Sequence, residues 1–299
     1  MTHRAFASLM AMAAAVAVTT VMQVPAAGQT PTVSRWIPPR LPDGQPDMQG
    51  LWVHAAGLAS HSVEDGRDPA EEIITGTSGP NPIVIVEPVD GRIPYQPAAA
   101  ARRNEFLANT EAPTKPEHID IHSRARLDGV PRNNYGSPGG GLQIGQRDGY
   151  VMILYESNHA FRMIPMDGRP HLGDNVKLWM GDSRGRWEGN TLVIDVTNFN
   201  ERTWFDAHGS FHSDALHVVE RWTMVGPDRI DYEATIEDPK VFTRSWKMAF
   251  GINRRTEAGY EQWEDARVEG EVDVEHMLSG GRRDKEAGRA GIHEHHRAK

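Results

Sequence analysis

The chain has 299 residues, a formal net charge of −9 and no cysteine. The missing cysteines exclude a disulfide framework, thiolate zinc or iron–sulfur ligation, and a cysteine nucleophile. The acidic balance argues against binding to a nucleic-acid backbone, which requires a basic stripe, so no nucleic-acid partner is expected.

The first 28 residues have the three-part pattern of a secretory signal peptide. Arg4 supplies the positive charge, an uncharged run over 5–22 follows, and 26–28 offer small residues for cleavage. We predict that residues 1–28 are removed on export and that the mature protein is periplasmic or secreted. An uncleaved anchor is the alternative, but the run is only weakly apolar. No second run of spanning length follows, so we expect no membrane span in the mature chain.

Residues 29–140 are predicted to be a long irregular N-terminal region that wraps the core. Prolines and polar residues dominate its start, and short strands are predicted at 50–53 and 83–86. The one short helix is predicted at 97–109, where a proline begins an alanine-rich segment with one apolar edge.

Residues 141–279 are predicted to be a β-barrel core, because short apolar runs alternate there with turn signals such as Asp148-Gly149 and Gly189-Asn190. The predicted strands are 142–146, 150–156, 161–166, 185–188, 191–197, 216–225, 229–236, 242–252 and 260–268. No helix long enough for a parallel crossover separates them. Closure would remove the exposed edges, so we predict an all-β fold, an antiparallel up-and-down barrel of about eight strands. The charged tail, 280–299, is predicted to be disordered.

Three long motifs are similar to those of a known family. They are 181–195 (GDSRGRWEGNTLVID), 212–221 (HSDALHVVER) and 232–239 (YEATIEDP). Together they resemble a large family of exported bacterial proteins to which no reaction is assigned. The resemblance spans most of residues 45–280 and implies export, but it implies no activity.

The chain also departs from that family's pattern. Relatives often carry a cysteine near the position of Arg126 and an Ala-Cys-His-Glu-Gly run, where this chain reads Ala-Arg-Val-Glu-Gly at 266–270. The absence of both cysteines together is the pattern expected if a structural disulfide of the relatives has been lost. The histidine of the Ala-Cys-His-Glu-Gly run is absent as well. A looser resemblance, from Gly50 and Trp52, is to lipocalin-like (calycin) barrels, whose interior can hold one small ligand.

The densest group of chemically active side chains lies in the connection at 204–214. We predict His212 as an acid–base residue, with Asp206 and Glu220 as supporting carboxylates, because a neighbouring carboxylate tunes an imidazole near neutrality. The leading hypothesis is thus an exported enzyme acting on a small organic substrate by lyase, isomerase or hydrolase chemistry. The alternative for this loop is structural, with Asp206 capping a turn and His212 bonded to loop backbone.

A second set of residues is predicted to bind a ligand. An arginine that faces a barrel interior needs a charged partner or ligand, although Arg162 is equally compatible with the solvent face. The predicted ligand-binding residues are His159, Arg162, His171, Trp204, Phe211 and Trp222. Trp204, Phe211 and Trp222 would line an apolar pocket and so support the rival hypothesis, a non-catalytic lipocalin-like protein that binds a small apolar ligand. Either way the expected partner is a small molecule, and the oligomeric state stays open.

A metal-dependent variant of the enzyme is the third hypothesis. His208, His212 and His217, with Asp206, would suit a divalent metal such as zinc. Their spacing matches no standard metal motif, so the leading expectation is no cofactor. The chain also lacks a Gly-x-Ser-x-Gly elbow and a dinucleotide fingerprint, which removes ordinary serine hydrolases and nicotinamide dehydrogenases.

Overall fold

The structure is a computed structural model, and it describes residues 36–54, 62–64, 84–110, 112–135, 140–263, 265 and 272–288. The predicted signal peptide, the run at 266–270 and the end of the predicted tail lie outside the described residues. None of the helices in the described ranges is both long and apolar enough to cross a bilayer.

The described parts of the chain are dominated by β-strands. The strands are β1 (Gly50–His54), β2 (Ile85–Glu87), β3 (Leu142–Arg147), β4 (Tyr150–Tyr155), β5 (Phe161–Pro165), β6 (Asp182–Glu188), β7 (Thr191–Thr197), β8 (His217–Gly226), β9 (Arg229–Glu237) and β10 (Trp246–Arg254). The α-helices are α1 (Pro97–Asn109), α2 (Arg132–Tyr135) and α3 (Asp273–Glu286), and a 3₁₀ turn spans Pro116–His118. The predicted helix at 97–109 is confirmed.

Nine of the strands form one curved antiparallel sheet. Their spatial order is β5-β4-β3-β1-β10-β9-β8-β7-β6, and β2 pairs with β10 beside this path. Every hydrogen-bonded pair on the path is antiparallel. The predicted all-β, antiparallel barrel is therefore confirmed, with nine strands on the path where about eight were expected.

The two end strands, β5 and β6, meet through side chains. Because nine is odd, strands that alternate in direction leave β5 and β6 running the same way. Arg162 of β5 donates to the Ser183 hydroxyl of β6 at 2.9 Å. Gly185 of β6 lies so close to Met166 that an added Cβ would come within 2.3 Å of the methionine sulfur. The return segment, 166–181, therefore carries the chain back along the barrel.

Side chains alternate between the interior and the outer face along each long strand. On β8, Val218, Glu220, Trp222 and Met224 are buried, while the residues between them are half-buried or exposed. Such alternation buries one face of a strand. Each large apolar side chain that is fully buried stabilises the fold by about 1.5–3 kcal/mol.

A short segment of the N-terminal half fills the barrel. This plug, residues 129–135, contains α2, whose four residues are all buried. Its Tyr135 hydroxyl donates to the Phe205 carbonyl in the connection between β7 and β8. Its Arg132 forms a two-bond pair with Asp120 at 2.7 and 2.8 Å. The barrel end at which β7 ends and β8 begins is called the plugged end below.

The structure differs from the predicted division of the chain. β1 lies between β3 and β10, and the plug enters the interior, so residues 29–140 do more than wrap the core. Residues 260–263 form a loop, because the Tyr260 hydroxyl and the Trp263 amide both bind the Glu156 carboxylate. Residues 280–286, predicted to be disordered, lie in α3. Acidic residues in its first turn and basic residues in its last turn stabilise this helix, because their charges interact favourably with the helix dipole.

Candidate functional site

Asp206 organises the connection between β7 and β8. Its fully buried carboxylate accepts bonds from the His208 amide at 2.9 Å, the Ser210 amide at 3.0 Å and the Ser210 hydroxyl at 2.7 Å. The Val63 amide adds a fourth bond at 3.2 Å. A short acidic side chain that bonds backbone amides two and four residues ahead fixes a turn.

His212 is buried within the same connection. Its Nε2 lies 2.5 Å from the Thr203 hydroxyl, and its Nδ1 lies 2.8 Å from the Ser213 carbonyl. The ring packs against Phe199 and Phe205 at centroid distances of 5.8 and 5.6 Å. Burial lowers the pKa of His212 below its ordinary value, because an apolar surrounding disfavours the charged imidazolium.

Glu220 lies inside the barrel, at the centre of a buried polar network. One carboxylate oxygen pairs with Arg162 at 2.5 Å, and the other accepts bonds from Asn134 at 2.6 Å and Tyr232 at 3.0 Å. Arg162 also binds Ser183. Glu220 faces the interior, as the alternation of its strand predicts, and Arg162, for which the sequence left both faces open, faces it too. The plug supplies Asn134 to the network.

Tyr155 extends this network by one step. Its hydroxyl donates to the side-chain amide oxygen Oδ1 of Asn134 at 2.7 Å. Burial raises the pKa of Tyr155 to about 12, so the hydroxyl keeps its proton at neutral pH.

The structure does not bring the three predicted catalytic residues together. In the described parts of the chain, no hydrogen bond or ion pair joins any two of Asp206, His212 and Glu220. Each has both of its polar atoms bonded to other groups, as set out above. The alternative considered for the loop, with Asp206 fixing a turn and His212 bonded to backbone, matches this geometry.

The predicted aromatic ligand-binding residues are also separated. Trp222 is fully buried in the barrel, edge-to-face with Tyr232 at 5.1 Å. Trp204 lies at the plugged end against Phe106, at 5.3 Å, and Phe211 contacts the same ring at 6.0 Å. Trp204 and Phe211 are therefore neighbours, whereas Trp222 belongs to the core.

Of the remaining predicted histidines, His159 lies apart, whereas His171 and His217 meet at one carboxylate, that of Asp195. His159 is exposed in the turn between β4 and β5, with φ of +51°. His171, in the return segment, bridges Asp182 at 2.9 Å and Asp195 at 2.8 Å. His217 binds the other oxygen of Asp195 at 3.1 Å.

The alternative metal set is not assembled. Within the described residues, no group of three or more histidine, aspartate or glutamate side chains is arranged to hold a metal ion. His217 is bonded to Asp195, whereas both ring nitrogens of His212 are bonded within its own connection. His208 is buried beside Asp206, to which its backbone amide donates.

The pair of His217 and Asp195 makes stability depend on pH. The hydrogen bond with Asp195 raises the pKa of His217 above 6.5 and lowers the pKa of Asp195 below 3.8. The contribution of the His217 imidazolium to the unfolding free energy is complete below pH 6.5. It is lost as the pH rises through the raised pKa of His217 in the folded protein. The carboxylate contribution is complete above pH 3.8 and is lost as the pH falls through its folded pKa. We expect His217→Gln to remove the decline in unfolding free energy above pH 6.5, measured by urea unfolding.

The matched control for this prediction is His276→Gln, since His276 is exposed on α3. That variant should keep the wild-type pH profile. If the unfolding free energy of His217→Gln still declined above pH 6.5 as much as that of the wild type, another group would be its cause.

An open cleft at the plugged end has the properties expected of a binding site. Its volume is about 300 Å³. It is lined by α1, the segment at 117–126, the return segment and the connection after β7. The lining residues are Arg102, Phe106, Glu117, Ile121, Arg124, Arg126, Trp179, Glu201, Arg202 and Trp204. This surface is called the guanidinium cleft below.

The four arginines of the guanidinium cleft, Arg102, Arg124, Arg126 and Arg202, are not paired with any carboxylate of the described residues. None of their side chains forms an ion pair or a hydrogen bond with a described residue, and the Nε of Arg124 is buried without a partner. Asp120 attracts Arg124 electrostatically, but both of its oxygens are bonded to Arg132. Burial lowers the pKa of Arg124, although a guanidinium stays protonated in proteins.

Three of these guanidinium groups lie over aromatic rings. Arg124 is 5.7 Å from the Trp204 centroid and Arg126 is 5.6 Å from the Trp179 centroid. Arg102 is 4.3 Å from the Phe211 centroid. A guanidinium over a ring is attracted to the ring face, and its N–H groups stay available for an anion.

Sequence reasoning identified Trp204 and Phe211 but missed the arginines and Trp179. The usable signal was weak: Arg124-x-Arg126 lies in a segment without strand periodicity, and both tryptophans lie outside the strands. Aromatic side chains in connections are candidates for binding surfaces.

Comparisons with known proteins add only distant similarities of fold. No protein-family model matches this chain, and no curated protein matches it. A secretary abundant heat soluble protein from Ramazzottius varieornatus has 7% identity and a TM-score of 0.25, over 39% of this chain and 71% of that one. The wild-type fluorescent protein UnaG has 15% identity and a TM-score of 0.23, over 46% and 87%. The strand pairing of this chain itself defines it as a nine-stranded antiparallel barrel.

Proposed function

We propose that this protein binds a small organic anion in the guanidinium cleft. The observation that supports this most is the set of four arginines without carboxylate partners around an open volume of about 300 Å³. That volume is at the lower end of the range for ligand pockets. Unpaired guanidinium groups with a dry aromatic backing are strong hydrogen-bond donors for carboxylates and phosphates.

The charge of the cleft supports an anionic ligand. The whole chain carries a net charge of −9. In the cleft, four arginines against two glutamates leave two positive charges uncompensated. A local positive field in an acidic protein attracts small anions while the protein as a whole repels nucleic acid.

Binding is better supported than catalysis. The residues predicted for acid–base chemistry are buried, separated and already bonded, and two of them hold the connection that carries Trp204. The barrel interior is filled by the plug and by core aromatic residues. The proposal therefore keeps the rival hypothesis of a binding barrel, but it moves the site to the plugged end and replaces an apolar ligand by an anion. Export of the chain, predicted from its first 28 residues, would expose the cleft to periplasmic or external solutes.

Calorimetric titration of the purified protein with benzoate and phenyl phosphate tests this proposal. We expect saturable binding, weakened about tenfold or more by Arg124→Gln, because a buried charged donor is removed. The matched control is Arg147→Gln. Arg147 is exposed at the end of β3, at the opposite end of the barrel, so this variant should bind as the wild type does. Equal affinity of all three proteins, or no saturable binding of either anion, would refute the site.

A further inference from the structure

The guanidinium cleft contains two stacked arginine–tryptophan pairs that differ in depth. The inner pair is Arg124 over Trp204, at 5.7 Å, and the outer pair is Arg126 over Trp179, at 5.6 Å. Trp204 is only 7% exposed and Arg124 is half-buried, whereas Arg126 is exposed and Trp179 is half-buried. Two cationic groups of the same construction therefore line one small volume.

The arginine of the inner pair is attracted by Asp120 and Glu117 but forms no ion pair or hydrogen bond with a carboxylate of the described residues. The Nε of Arg124 is buried and has no hydrogen-bond partner among the described residues, and both oxygens of Asp120 are bonded to Arg132. A buried donor without a partner is unfavourable, and an anion placed beside it would satisfy it. This arrangement is suited to one carboxylate or phosphate group held side-on by Nε and one terminal nitrogen.

The outer pair would be left with a second uncompensated charge. A monoanion at Arg124 would neutralise one of the two excess positive charges of the cleft and leave the other. Arg126 lies over Trp179, forms no ion pair with a described residue and lines the same cleft, so it can receive the second negative charge. Trp179 and Trp204 offer two flat apolar surfaces for the body of the same ligand.

We propose that the ligand is a dianion with a planar apolar body whose two negative charges contact Arg124 and Arg126, either as two charged groups or as two oxygens of one phosphate. This inference rests on the proposed function and adds the charge and shape of the ligand. Aromatic dicarboxylates and aryl phosphate monoesters share this chemistry. Glu117 and Glu201, both exposed in the lining, oppose ligands with more negative charge and so set an upper limit.

Titrating ligands of different charge into variants that differ in one arginine tests this inference. Benzoate, terephthalate and phenyl phosphate would be titrated into the wild type, Arg126→Gln and Arg147→Gln by calorimetry. In the wild type, the dianions should bind about tenfold or more tightly than benzoate, because each has a second charge-assisted contact. In Arg126→Gln this advantage should fall to a few-fold or less, while benzoate affinity should hardly change. Arg147→Gln should behave as the wild type.

Each outcome separates the inference from the proposed function. If benzoate and the dianions bind equally in the wild type, or if Arg126→Gln weakens all three equally, the dianion inference fails and the anion site stands. If nothing binds, the proposed function fails and the inference fails with it. A preference for terephthalate alone or for phenyl phosphate alone identifies which source of the second charge the cleft accepts. Melting temperatures of the variants would confirm that each is folded.

Discussion

Replacing Arg162 by methionine is expected to lower the free energy of unfolding by about 3–5 kcal/mol. The substitution leaves the Glu220 carboxylate inside the barrel, fully buried, without its 2.5 Å ion pair. Asn134 and Tyr232 still donate to one of its oxygens, but neither neutralises the charge. Urea unfolding followed by tryptophan fluorescence would measure the loss.

The second variant for this prediction removes both charges. Arg162→Met combined with Glu220→Leu should recover most of the lost stability, because replacing a buried pair by apolar residues of similar volume is often neutral or stabilising. The remaining loss would come from Asn134 and Tyr232, which then lack an acceptor. A double variant as unstable as Arg162→Met alone would show that lost packing is the cause.

A surface pair provides the control. Arg186 and Glu188 form an ion pair at 2.8 Å on the outer face of β6, where both side chains are largely exposed. Arg186→Met should leave the unfolding free energy unchanged within error, since exposed pairs contribute little. The contrast isolates burial as the origin of the effect at Arg162.

The interior position of Glu220 could be predicted because strand alternation is a local signal, whereas the sequence left both faces open for Arg162. Glu220 shares its strand face with Val218 and Trp222, and that face had to be buried. The partners of the pair were less accessible. Asn134 reaches Glu220 from 86 residues away in the chain, through a plug with no periodicity. Long-range contacts made by irregular segments leave no pattern in the sequence.

The seam between β5 and β6 shows the same limit. The sequence indicated each strand from alternation and turns, but the number of strands decides how a barrel closes. Inserting β1 between β3 and β10 makes the count odd, which forces β5 and β6 to run in the same direction. A single strand at the start of the domain thus changes a contact between strands far along the chain.

The guanidinium cleft was hidden for a further reason. Its walls come from α1, a 3₁₀-containing segment, the return segment and the connection after β7, four stretches that no local signal links. Trp204 could be identified from the sequence because it lies within a dense polar cluster. The neighbouring Asp206 and His212 then drew the prediction toward acid–base chemistry, whereas their bonds show that they hold that connection in place.

Replacing Asp206 by alanine is the second substitution with a large expected effect. It removes the acceptor of four hydrogen bonds at once, from the Val63, His208 and Ser210 amides and the Ser210 hydroxyl. Leaving buried donors without partners costs about 1–3 kcal/mol for each that cannot find water. We expect a loss of about 3 kcal/mol or more, equivalent to a fall in Tm of roughly 6–12 °C for a chain of this size.

The comparison that decides the role of Asp206 is with Asp214. Asp214, whose side chain is 42% exposed, pairs with Lys240 at 2.6 Å. Asp214→Ala should keep the wild-type Tm, because an exposed pair contributes little. If Asp206→Ala instead kept the wild-type Tm, its bonds would be dispensable and the acid–base hypothesis would regain support. A fall in Tm, with anion binding partly restored at low temperature where the connection refolds, would establish that Asp206 acts by positioning Trp204 at the floor of the guanidinium cleft.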